Sequence, residues 1–143
     1  MLSSEQLLKL KESTNKVPKF SLEGERKLCK VIRVYDGDTI TVNFYHNDIL
    51  NRWSVRLLGL DTPELRPRKN IENRDEEIRK ARASRDYLKS LIMSSDQLIY
   101  LECGGFDKYG RLLGRIYLQD NSSVNDMMIG GGYAKEYDGG TKS

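Results

Sequence analysis

The sequence has few of the side chains that bind soft metals or act as nucleophiles. Its 143 residues include two cysteines, Cys29 and Cys103, and one histidine, His46. A structural zinc site needs four such ligands, and a single histidine argues against a serine or cysteine triad. The cysteines lie far apart and form no CxxC pattern, so we expect no disulfide framework and a reducing compartment.

Long apolar runs are also absent. No stretch approaches the ~18 apolar residues of a membrane-spanning helix. Glu5 and Lys9 interrupt the leucines near the N-terminus, so residues 1–13 do not have the core of a signal peptide. We therefore expect an intracellular protein with no signal peptide and no transmembrane segment.

Neither sign of charge is in large excess. The net charge is +3, with 38% hydrophobic and 31% charged residues, which is typical of one globular domain with a core. That charge does not by itself indicate a nucleic-acid binder. The abundant groups are carboxylates, arginine, lysine and tyrosine, and these favour hard cations and anionic ligands.

Apolar alternation predicts five strands, and apolar residues at helical spacing predict three helices. The strands are predicted over residues 26–35, 39–45, 52–58, 97–102 and 111–118, and the helices over 3–13, 76–93 and 122–129. In the first strand the alternation places Leu28, Ile32 and Val34 on one face. We expect Gly104 and Gly105 to end the fourth strand.

Three meander strands, a helix, two hairpin-joined strands and a further helix form the pattern of an OB fold. We predict an α+β, mainly β fold: a five-stranded OB-type Greek-key barrel with two flanking α-helices and an N-terminal extension. The extension covers residues 1–25, and the OB-fold domain covers residues 26–143. Such a barrel presents an open face and loops that suit oligonucleotides.

Two aspartates stand at turns that a meander would bring to one end of the barrel. Asp38 follows the Asp36-Gly37 hairpin turn, and Asp61 opens the turn that ends at Glu64. Two carboxylates with a backbone carbonyl and water would form a hard oxygen site of the kind that calcium occupies. Ordinary turn chemistry also explains each motif taken alone.

Arg56 and Arg111 are the candidate anion ligands. A guanidinium group is planar, permanently charged and bidentate toward phosphate. Hydrolysis of a phosphodiester builds negative charge on the non-bridging oxygens, and fixed cations stabilise that transition state. The alternatives are an ordinary Arg56–Glu64 ion pair and a solvent-facing Arg111.

Glu64 is a candidate general base that takes a proton from a metal-bound water. The alternative is an ion pair between Glu64 and Arg66 or Arg68. Lys108 and Tyr109, close to Arg111, could hold a terminal phosphate or stack on a base. As an alternative, they form a plain hairpin tip.

Three segments together carry a resemblance to the staphylococcal nuclease (thermonuclease) family. They are YDGDT (Tyr35–Thr39), VRLLGLDTPE (Val55–Glu64) and DKYGR (Asp107–Arg111). VNDMM followed by GGGYAK, over Val124–Lys135, resembles the second helix of the family and its exit. The resemblance covers roughly residues 27–135 and implies an OB-type barrel that cleaves DNA and RNA with calcium, leaving 3′-phosphate ends.

The resemblance also assigns roles to individual residues. Asp38, Asp61 and the Thr62 carbonyl match the calcium ligands; Arg56 and Arg111 match the phosphate-binding arginines; and Glu64 matches the proposed general base. Lys108 and Tyr109 match residues beside the terminal phosphate, and Tyr137 is an approximate counterpart of a base-stacking tyrosine. We therefore expect a Ca²⁺ cofactor and single- or double-stranded DNA or RNA as substrate.

Two departures from the family pattern stand at the ends of the chain. The third, C-terminal helix of the family has no equivalent, and the N-terminal extension is additional. We expect the apolar residues of the extension to cover the barrel, or a second copy of the chain, in place of that helix. They are Leu7, Leu8, Leu10, Val17, Phe20 and Leu22.

Two other functions compete with a nuclease. A catalytically inactive module that binds nucleic acid or protein would be expected to lack one or more of the two aspartates, two arginines and Glu64. A plain single-strand-binding OB domain would be expected to carry more aromatic residues and would not need paired acids. The presence of all five residues favours the enzyme.

Overall fold

The structure is a computed structural model that describes residues 1–137, and its centre is one closed β-barrel. The barrel strands are β1 (Arg26–Val34), β2 (Thr39–His46), β3 (Ile49–Leu57), β5 (Leu98–Phe106) and β6 (Leu112–Tyr117). The helices are α1 (Ser4–Glu12), α2 (Arg74–Ser94) and α3 (Val124–Gly130). A separate two-stranded sheet pairs β4 (Leu60–Asp61) with β7 (Lys135–Glu136).

The strand order around the barrel is β1-β2-β3-β6-β5. The first three strands form the predicted antiparallel meander, and β5 and β6 form an antiparallel hairpin. Parallel pairing of β3 with β6 and antiparallel pairing of β1 with β5 close the cylinder. The predicted OB-type barrel is therefore confirmed.

The barrel interior contains the alternate apolar residues of each strand, as the pleat requires. In β2 the buried residues are Ile40, Val42 and Phe44. The helix α2 buries Ala81, Ser84, Leu88 and Ile92 at helical spacing, and α3 buries Val124 and Met128. The two helices lie against each other as well as against the barrel, so they hold the loops that lead into them.

The apolar face predicted for β1 does not point into the core. Cys29 and Val31 point into the core, whereas Leu28 and Ile32 are exposed and Val34 is only partly buried. The alternation places Cys29 and Val31 inward and Leu28 outward before the bulge between Val31 and Arg33, and beyond that bulge Val34 is the partly buried residue. Leu28 and Ile32 therefore lie on the outer face of this strand.

The expectation that glycines end the fourth barrel strand is also wrong. The strand β5 continues through Gly104 and Gly105 to Phe106, with a register shift against β6. At Gly104, a Cβ atom would lie 3.1 Å from the Leu113 carbonyl oxygen and 3.2 Å from the Leu58 side chain. Gly104 therefore permits a close approach of neighbouring segments.

The N-terminal segment does not cover the barrel as we expected. Leu22 is fully buried, but α1 buries no residue, and five of the six predicted apolar residues are exposed: Leu7, Leu8, Leu10, Val17 and Phe20. Backbone hydrogen bonds tie Gly24 and Glu25 to Cys103 of β5. The ordered contact with the barrel is thus confined to the last part of the segment. The domain division at residues 25 and 26 remains a prediction.

Both cysteines are free and buried in the barrel. Burial, reinforced by the neighbouring Cys103, raises the pKa of Cys29 to about 12. Burial, reinforced by Glu25, raises the pKa of Cys103 to about 11. These are packing residues with little thiolate character. Among residues 1–137, no helix is both long enough and apolar enough to cross a bilayer.

Candidate active site

The turn between β1 and β2 presents Asp38 at one edge of the barrel. The Asp38 N–H donates to Asp36 Oδ1 at 3.0 Å, and the Thr39 hydroxyl donates to Asp38 Oδ1 at 3.0 Å. Gly37 lies where a Cβ atom would be 2.8 Å from Ser84 Cβ and 2.9 Å from Thr62 Cγ2. The absent side chain thus lets this turn, the Thr62 segment and α2 meet.

Arg56 of β3 lies between the two predicted metal-binding aspartates. Its Nη1 is 2.6 Å from Asp38 Oδ2, and its Nη2 is 3.8 Å from Asp61 Oδ1. The three side chains are only 12–19% exposed, so these charges interact with little screening. The Arg56–Asp38 contact is an ion pair by distance, although Nη1 is buried and forms no aligned hydrogen bond.

Carboxylates outnumber cations in the group of side chains around Arg56. Burial, followed by a hydrogen bond with Asp38 and the charge of Asp38, raises the pKa of Asp36 to about 6. Within residues 1–137, no three side chains of aspartate, glutamate, histidine or cysteine form a group that could hold a metal ion. The oxygen donors of Asp38, Asp61 and Thr62 fit a hard cation, and water molecules would complete the coordination of that cation.

A cleft of about 350 Å³ collects most of the predicted residues. Six of the nine line it: Asp38, Arg56, Asp61, Thr62, Glu64 and Arg111. The Glu64 N–H donates to Glu77 Oε1 of α2 at 3.1 Å, which anchors this end of the turn. Carboxylates, two guanidinium groups and the turn of residues 61–64 therefore face one space that is large enough for a phosphodiester group.

Arg111 is oriented by the carboxylate of Asp107 at the base of the β5–β6 hairpin. Its Nε donates to Asp107 Oδ2 at 2.7 Å, and the N–H groups of Tyr109 and Arg111 donate to Oδ1 at 2.9 Å. Desolvation opposes ionisation of Asp107, but these hydrogen bonds outweigh it and lower its pKa. The Asp107 carboxylate therefore stays ionised and holds Arg111.

The three residues predicted to bind substrate lie outside this cleft. The guanidinium of Arg111 is 5.5 Å from the centre of the Tyr109 ring, and the Lys108 ammonium is 5.1 Å from it. Tyr109 is 72% exposed at the hairpin tip. Tyr137 lines a separate cleft of about 300 Å³, beside Arg115, and its N–H donates to the Gly59 carbonyl.

Sequence reasoning missed residues that hold the site together. Asn125 of α3 is fully buried, donates to the Leu58 carbonyl at 2.6 Å and accepts from the Ile116 N–H at 3.0 Å. The Ser84 hydroxyl donates to the Tyr133 carbonyl at 2.6 Å. The only sequence signal for either residue was its polarity at an inward-facing helical position.

Comparison with known proteins supports the resemblance seen in the motifs. A family model described as staphylococcal nuclease homologue matches residues 54–142. The chain is 32% identical over 131 residues to Endonuclease YhcR of Bacillus subtilis, covering 91% of this chain and 10% of that protein. It is 34% identical over 110 residues to an uncharacterized endonuclease of Escherichia coli O157:H7, covering 76% of this chain and 60% of the relative.

The chain therefore spans about a tenth of the Bacillus protein and less than two thirds of the Escherichia protein. The family match covers more than half of this chain and includes Arg56, Asp61, Glu64 and Arg111. With this match and the closed barrel, the chain belongs to the staphylococcal nuclease homologue family.

Proposed function

We propose that this chain is a calcium-dependent endonuclease that hydrolyses phosphodiester bonds of DNA, RNA or both. The observation that carries the proposal is the position of Arg56 between Asp38 and Asp61, in a cleft that Glu64 and Arg111 also line. The endonuclease names of two relatives support the same reaction class.

Each residue of the cleft has a proposed role in the reaction. Asp38, Asp61 and the Thr62 carbonyl would hold the Ca²⁺ ion, which supplies Lewis acidity and lowers the pKa of bound water. Glu64 accepts a proton from the attacking water. Arg56 and Arg111 donate to the non-bridging oxygens, where negative charge increases in the transition state.

In the proposed reaction, one water molecule hydrolyses one phosphodiester bond. The water oxygen forms a bond to phosphorus while the bond from phosphorus to the 5′-oxygen breaks. The products are a 3′-phosphate end and a 5′-hydroxyl end, with the leaving oxygen protonated from solvent. Lys108, Tyr109 and Tyr137 are proposed to contact the flanking phosphate and base, outside the reacting group.

The free, buried thiols of Cys29 and Cys103 support the proposal of an intracellular setting.

The experiment is a cleavage assay on single- and double-stranded DNA and on RNA, with Ca²⁺ and then with excess chelator. We expect cleavage only with the cation, and ends that accept a 3′-extending polymerase only after phosphatase treatment. Full activity in chelator would contradict the metal requirement. Binding of the oligonucleotide without any cleavage would favour the alternative, a catalytically inactive module.

A further inference from the structure

A second and larger cleft, of about 500 Å³, adjoins the candidate active site. It shares the turn of residues 61–64 with the smaller cleft, but the rest of its lining comes from α2 and from residues 132–135. The side chains that matter for its chemistry are Glu64, Glu77, Lys80, Ala83 and Lys135. A ligand in this cleft would therefore lie directly beside the proposed general base.

Hydrogen bonds fix all three walls of this second cleft. Glu77 of α2 accepts from the Glu64 N–H at 3.1 Å, which ties the helix to the turn. The Ser84 hydroxyl donates to the Tyr133 carbonyl at 2.6 Å, which ties the helix to the segment after α3. Pairing of Lys135 with Asp61 in the β4–β7 sheet joins the remaining walls. The cleft is thus preformed, as ligand sites usually are.

The lining combines cations with a small apolar surface. Lys80 and Lys135 are exposed and come from different elements, and neither forms an ion pair with any carboxylate of residues 1–137. Pro63 and Ala83 offer apolar contact between them. Glu77 directs one carboxylate oxygen to the backbone of Glu64. Asp61, Glu64 and Glu77 also line the cleft, so the two lysines are the groups that an anion attached to a flat or apolar group would contact.

We propose that the second cleft binds a nucleotide of the substrate strand that flanks the scissile phosphate. Its phosphate contacts Lys80 and Lys135, and its sugar and base lie against Pro63 and Ala83. The inference rests on the proposed nuclease function and adds a binding subsite to it. Occupation of this subsite draws a longer strand across the turn that carries Asp61 and Glu64.

Ala83→Trp tests the proposal by filling the cleft. Ala83 lies on the exposed side of α2, so the larger side chain enters the cleft without disturbing the core. We expect kcat/KM for a ten-residue oligothymidylate to fall at least ~10-fold, as loss of one base contact would cause, with a trinucleotide unaffected. Ser90→Trp, an exposed position of the same helix outside the cleft, is the matched control.

A binding measurement without metal separates this inference from the proposed function. For the fluorescein-labelled ten-residue oligothymidylate, we expect Lys80→Ala and Lys135→Ala each to lower the salt dependence of log affinity by about 0.7, and Lys89→Ala to leave it unchanged. An unchanged salt dependence, or equal losses of kcat/KM on long and short substrates in Ala83→Trp, would overturn the subsite. Absence of cleavage by the unmodified chain would instead overturn the nuclease proposal.

Discussion

Arg56 shows how one side chain serves both the fold and the proposed chemistry. Its guanidinium is the cation between Asp38 and Asp61, and each of these three side chains is less than a fifth exposed. Removing the guanidinium would leave two buried carboxylates without their counter-charge, which is costly in a region of low dielectric. Arg111 differs, since its side chain is 31% exposed and its carboxylate partner lies on the same hairpin.

We expect Arg56→Ala and Arg111→Ala each to lower kcat by about 100-fold or more, because both cations meet charge that is greatest in the transition state. Steady-state kinetics measures this, and thermal melting separates it from unfolding. Arg56→Ala should also lower stability, whereas Arg111→Ala should leave it nearly unchanged. Arg79→Ala, at an exposed position of α2, is the control. A change confined to KM would mean that the arginines only hold substrate.

The role of Glu64 is tested by an isosteric change. We expect Glu64→Gln to slow cleavage strongly while calcium affinity, measured by titration calorimetry, stays unchanged. The amide removes the proton acceptor but keeps the size of the side chain. The hydrogen bond from the Glu64 backbone N–H to the Glu77 carboxylate remains. Loss of calcium binding in this variant would instead identify Glu64 as a metal ligand.

The functional cleft depends on contact between elements that are distant in the sequence. The turn before β2, the Thr62 segment and α2 meet at Gly37, and Asn125 links α3 to both Leu58 and β6. A side chain at position 37 would push these elements apart where Asp38 and Asp61 must face each other.

We expect Gly37→Ala to lower the free energy of unfolding by about 1–3 kcal/mol, which is typical of overpacking, and to lower activity as well. The added Cβ would lie under 3.0 Å from both Ser84 and Thr62. Denaturant unfolding and the cleavage assay are the two measurements. Gly105→Ala is the matched control, because a Cβ atom at that position would meet no heavy atom of the surrounding structure within 4 Å. Equal effects of the two substitutions would contradict this account.

At the scale of the whole molecule, the barrel is closed without help from the first helix. The helix α1 buries no residue, and the N-terminal segment contributes only Leu22 to the main core. The exposed leucines of α1 therefore add little to stability within one chain. Their packing on a second copy of the chain remains a prediction.

We expect deletion of residues 1–13 to leave the melting temperature nearly unchanged and Leu22→Ala to lower the free energy of unfolding by about 2–5 kcal/mol. The contrast follows from the burial of Leu22 and the exposure of α1. Thermal and denaturant unfolding measure the two effects, with Leu8→Ala as an exposed control. A large destabilisation by the deletion would show that α1 packs in solution.

The sequence determined the features that depend on local chemistry and on short-range order. Alternation of side chains predicted the strands, and turn residues placed Asp38 and Asp61 at strand ends. The resemblance of three motifs to the staphylococcal nuclease family implied that Arg56, Glu64 and Arg111 share a site, and the structure places all three on one cleft. These predictions succeed because the period of a strand and the geometry of a turn are set by neighbouring residues.

The tertiary structure alone decided the features that arise where distant segments meet. The pairing of β1 in the barrel left Leu28 and Ile32 on the outer face, and the sheet of β4 and β7 placed Lys135 beside Asp61. Tyr137 came to lie near Arg115 rather than in the cleft of Arg56 and Arg111. Each outcome depends on register, burial and close packing between segments that are far apart along the chain, and no local pattern records those contacts.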